Sequence, residues 1–68
     1  MTADQLREIV ARKPFRPVAV TTVAGDHYEL REEADVLHSP RRPELFIFFA
    51  DQLMHIVEAN EIASVSVL

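Results

Sequence analysis

The 68-residue sequence predicts a mostly β domain with one N-terminal α-helix, folded as a small, strongly bent, five-stranded antiparallel barrel. Three observations carry that expectation. A helix-capping pattern opens the chain, the apolar period shifts from about 3.6 to 2 at Val18, and short apolar runs divided by turn residues then continue to Leu68. The expected bounds are a helix over residues 3–13 and strands over 17–68, within a single domain covering 1–68.

The helix is argued from both of its ends. Thr2 stands three residues before Gln5, the spacing at which a hydroxyl caps a backbone N–H while the Gln side chain reaches back to the cap. Asp4 falls in the first turn and Arg12 and Lys13 in the last, as the helix dipole favours. Leu6, Ile9 and Val10 share a face that packs inward, with Lys13 snorkelling at its end. Pro14 stops the helix, and Pro14-Phe15-Arg16-Pro17 is an extended connector.

From Val18 the side chains alternate: Val18, Val20 and Thr22 on one face, Ala19, Thr21 and Val23 on the other. Ala24-Gly25-Asp26-His27 holds the single glycine of the chain and turns it back into Tyr28-Glu29-Leu30-Arg31. Glu32 to His38 reads equally as strand or helical turn, and Ser39-Pro40-Arg41-Arg42-Pro43 is a loop. Leu45 to Ala50 is apolar at every position, the pattern of a strand buried on both faces and central to a core or an interface. Asp51-Gln52 marks a turn, Leu53 to Glu58 the next strand, Ala59-Asn60-Glu61 a short break, and Ile62 to Leu68 the last strand.

Size and composition limit the function classes. A domain this small buries only about 60% of its unfolded surface, so it needs disulfides, a metal, regular packing or oligomerisation. The chain has no cysteine, which excludes disulfides and thiolate metal sites and suits a cytoplasmic protein. No apolar run approaches the length of a membrane span. A net charge of −4 argues against a nonspecific grip on nucleic acid.

The hairpin residues Val20 to Leu30 resemble the first hairpin of Sm-like barrels. His55-Ile56-Val57-Glu58, the break at Ala59-Asn60-Glu61, and Ile62 to Val67 are similar to the fourth strand, 3₁₀ turn and fifth strand of that fold. The chain also resembles short uncharacterised bacterial proteins in which a helix precedes a Pro-Phe-Arg-Pro segment, here Pro14 to Pro17. The resemblance implies an Sm-like fold and association through strand edges. It does not supply RNA-binding residues. The loop Ser39 to Pro43 lacks the family's Asn, and Ala59-Asn60-Glu61 stands where the family carries Arg-Gly or Lys-Gly.

Catalytic, metal and cofactor sites are not expected. His27, His38 and His55 have no metal-ligand spacing, and Thr21, Thr22, Ser39, Ser64 and Ser66 sit in no nucleophile motif. Glu29, Glu32, Glu33 and Asp35 read as a solvated acidic face. The candidate interaction residues are Arg41 and Arg42, able to grip a phosphate or carboxylate, and Phe46, Phe48 and Phe49, too many aromatics for one small core. The expected function is therefore a non-enzymatic interaction module that forms a homo-oligomer or docks on a protein partner. The alternative is a nucleic-acid-binding Sm-like protein using the Arg41/Arg42 loop.

Overall fold

The computed structural model describes residues 1–68. Helix α1 (Ala3–Val10) is followed by strands β1 (Val18–Thr22), β2 (His27–Leu30), β3 (Val36–His38), β4 (Leu45–Ala50), β5 (Leu53–Glu58) and β6 (Ile62–Val67), with 3₁₀ turns at Glu33–Asp35 and Ala59–Glu61. The six strands form two antiparallel three-stranded sheets, ordered β2-β1-β6 and β3-β4-β5. No barrel closes, which corrects the expected five-stranded Sm-like barrel.

The corners explain why the sheets stay apart. A barrel requires the ladder to run on from β2 into β3. Here one oxygen of Asp35, Oδ2, accepts hydrogen bonds from the backbone N–H of Arg31 (3.0 Å) and of Glu32 (3.1 Å), turning both amides to the loop. A 3₁₀ turn follows, and Val36 restarts as the edge of a different sheet. The ambiguous stretch Glu32 to His38 is thus both a turn and a strand, and β3 is the strand beyond the expected set. At the other corner the turn Ala59–Glu61 carries the chain from β5 of one sheet to β6 of the other, anchored by Ala59 N–H donating to the Glu44 carbonyl at 2.8 Å.

The helix starts where expected, with both reciprocal bonds of the Thr2/Gln5 capping box formed. It stops at Val10, short of Lys13. Lys13 is exposed and pairs with Glu33 rather than snorkelling along the helix, and the charge in the last turn is Arg7, bridged to Asp4 at 3.1 Å. Ala3 and Leu6 are buried, and Met1, Ile9 and Val10 pack around them. The helix rests on the Ala59–Glu61 turn, where the N-terminal ammonium donates to the Ile62 carbonyl at 3.1 Å.

One core lies between the sheets. Val18 and Val20 of β1, Leu30 of β2 and Ile62 of β6 meet Phe46 and Phe48 of β4 and Val57 of β5, with the helix and Ala59 at one end. Each strand supplies alternate residues, as period 2 demands. Burying a large apolar side chain contributes roughly 1.5–3 kcal/mol. Phe46 and Phe48, both at 0% exposure, are the largest such contributions.

The two hairpins use different turn chemistry. Between β1 and β2, Gly25 takes φ +94°, its N–H donating to the Thr22 carbonyl at 3.0 Å, while Asp26 N–H donates to the Thr22 hydroxyl at 3.0 Å. Between β4 and β5, Asp51 and Gln52 alone separate the paired Ala50 and Leu53, both with positive φ, 54° and 63°. That is the two-residue turn whose twist matches the strands.

Candidate interaction surface

Strand register sorts every side chain of β3-β4-β5 to one of two faces. Phe46, Phe48 and Ala50 lie opposite Val57, His55 and Leu53 on the inner face. Leu45, Ile47 and Phe49 lie opposite Glu58, Ile56 and Met54 on the outer one, and Leu37 of β3 pairs with Ile47 on that same side. An antiparallel sheet with one wet face ordinarily presents polar residues there. This one presents Leu37, Ile47 and Ile56 in a row across all its strands, with Leu45, Phe49 and Met54 along their flanks.

That outer face is open. Leu37 is 51% exposed, Met54 58% and Ile56 63%, while Leu45 and Ile47 are half-buried by their neighbours. β4 is therefore central in its sheet but covered on one face only, which corrects the expectation of a strand buried on both sides. A groove of about 420 Å³ runs over Leu37, Leu45, Ile47 and Ile56, with Arg42 at its rim. A second depression, about 560 Å³, lies at the Phe49 and Met54 end and is bordered by Asp35, Asp51 and the ion-paired Glu29 and Arg31.

The five candidate residues separate. Phe46 and Phe48 are fully buried and do not reach a partner; their job is the core. Phe49 faces outward at 37% exposure. Arg41 and Arg42 are exposed in the β3–β4 loop, which is held by Arg42 N–H donating to the Ser39 carbonyl (3.2 Å) and Leu45 N–H to the Arg42 carbonyl (3.0 Å). Neither arginine forms an ion pair within the chain. The structure thus brings Arg42 and the outward residues of β4 to one surface. It adds Leu37 of β3, from the stretch whose sequence left strand and turn open, and Met54 and Ile56, whose sequence signal was the apolar content on both faces of β5.

The histidines do not converge. His27 bonds the Thr21 hydroxyl at 3.0 Å, His38 bonds the Pro43 carbonyl at 3.0 Å and stacks on Phe46, and His55 stacks on Tyr28 with ring centres 4.5 Å apart. No three His, Asp or Glu side chains come together as a metal site, and no helix is long and apolar enough to cross a membrane. The Ser39 hydroxyl at the groove accepts from Arg41 N–H at 3.3 Å, while the ring of the adjacent His38 is engaged with the Pro43 carbonyl. Tyr28, near the seam between the sheets, has its phenol pKa raised, first by desolvation and then by the charges of Asp26 and Glu61. No family model matches the chain, and no curated protein or solved structure matches it either.

Proposed function

We propose that this chain is a non-enzymatic protein-interaction module that docks another protein chain on the outer face of β3-β4-β5. The row Leu37, Ile47 and Ile56 carries the reading. Contiguous apolar surface of this kind on a small domain marks an interaction site, and the apolar centre with a charged rim at Arg42 and Asp51 is the composition of a docking interface. Nucleic acid is the weaker occupant, because the face offers a single aromatic, Phe49, among aliphatic side chains and the chain carries a net charge of −4.

A photo-reactive amino acid placed at Ile56 and, separately, at Ser66 on the outer face of the other sheet tests the reading in cells. The expected result is a discrete protein adduct from position 56 and none from position 66. Equal labelling at both positions, or none at 56, would contradict it.

A further inference from the structure

We propose that the occupant of this face is a second copy of the same chain, packed sheet on sheet with its strands running the opposite way. This rests on the interaction reading above and names its partner. The first support is shape. A three-stranded sheet with an apolar outer face is complementary to another such sheet, and aligned sheets pack face to face about 10 Å apart. The second is charge. Arg42 borders one end of the face and Asp51 the other, and neither has an ion-pair partner within the chain. A two-fold axis across the strands, through the row Leu37, Ile47 and Ile56, sets the Arg42 end of each copy on the Asp51 end of the other. The opposite choice, like ends together, sets arginine on arginine and aspartate on aspartate. Glu58 shares the Arg42 end but stands on the β5 edge, at the rim.

Area sets the strength of the contact: three strands about 4.8 Å apart and up to six residues long present a face of about 300 Å², so a face-to-face pair buries less than the roughly 1,200 Å² of a standard interface. Such a dimer is weak and is populated only at high concentration.

Under this axis the middle row meets itself, whereas Leu45 meets the Phe49 end of the other copy. The chain has no cysteine, so introduced ones report without interference. Sedimentation equilibrium should show the mass rising from 7.7 kDa toward twice that value as concentration rises from about 1 to about 500 μM. Ile56→Glu, at an exposed position, should stay monomeric throughout with an unchanged circular dichroism spectrum. A short bis-maleimide should cross-link Ile47→Cys to itself. Leu45→Cys and Phe49→Cys should cross-link when mixed and not when alone. A wild-type monomer at the highest concentration, or Leu45→Cys cross-linking to itself as well as Ile47→Cys does, overturns the proposal. If the wild type is monomeric yet Ile56 gives an adduct with a heavier protein in cells, the second copy is overturned and the interaction reading stands; if no adduct forms, both fall.

Discussion

The outer faces of the two sheets differ in almost every respect. On β2-β1-β6 the register places Ala19 and Thr21 between His27 and Glu29 on one side and Ser64 and Ser66 on the other, small or polar throughout. On β3-β4-β5 the equivalent positions are aliphatic or aromatic except Glu58. Folding alone requires only the inner faces to be apolar. The outer apolar face is more than the core of one copy requires, and its composition speaks for contact with another surface. The remaining exposed large apolar residues, Val23, Leu53, Val67 and Leu68, sit at turns and at the end of the last strand and form no such row.

The largest effect that can test this contrast compares neighbours on β4. Phe48→Ala should lower unfolding free energy by about 3–5 kcal/mol through lost burial and a residual cavity, enough to unfold many small domains. Phe49→Ala, next in sequence but facing out, should cost less than about 1 kcal/mol in dilute solution. Chemical denaturation of both variants checks the pair, and equal losses would erase the distinction between the faces.

The turns offer a smaller contrast of opposite sign. Gly25→Val puts a β-branched side chain at φ +94° and should destabilise by about 1–2 kcal/mol, and since no atom lies within 4 Å of the added Cβ the loss is backbone strain alone. Gln52→Gly, at φ 63° in the other hairpin, should stabilise by a few tenths to about 1 kcal/mol. Thermal melts that moved in the same direction would contradict the turn assignment.

The smallest effect concerns the seam between the sheets. Tyr28 holds its proton more tightly folded than unfolded, so its contribution to stability is complete below the unfolded pKa of 10.0 and is lost as pH rises through that value toward the raised folded pKa. Ultraviolet titration of this single tyrosine should show the raised midpoint, and Asp26→Asn should move it part of the way back. A midpoint at the free value would remove the desolvated seam.

Local physics made much of this legible from residues alone. The Thr2/Gln5 box, the Gly25 turn, the Asp51-Gln52 turn and the alternation in β1 and β6 all follow from short-range chemistry and are present in the fold. One failure is a local competition that periodicity does not show, and the others are long-range. Whether β2 continues into β3 depends on one carboxylate, Asp35, competing for the amides of Arg31 and Glu32, and periodicity does not register that competition. Likewise the apolar run Leu45 to Ala50 signals two apolar faces but not that the second is left open, since that depends on where the helix docks. Phe46 and Phe48 left the candidate surface for the same reason: alternation assigns residues to faces, and only tertiary packing says which face is the core.

Of the two outer faces, that of β3-β4-β5 is proposed for contact and that of β2-β1-β6 for water. Nuclear magnetic resonance with a dissolved paramagnetic probe tests this most directly, by reading how strongly each methyl group is relaxed at low and high protein concentration. The methyls of Leu37, Ile47 and Ile56 should be accessible in dilute solution and become shielded as concentration rises, while those of Ala19 and Thr21 keep the same accessibility throughout. Shielding of both faces together, or no change at Ile56 at any concentration, would contradict it.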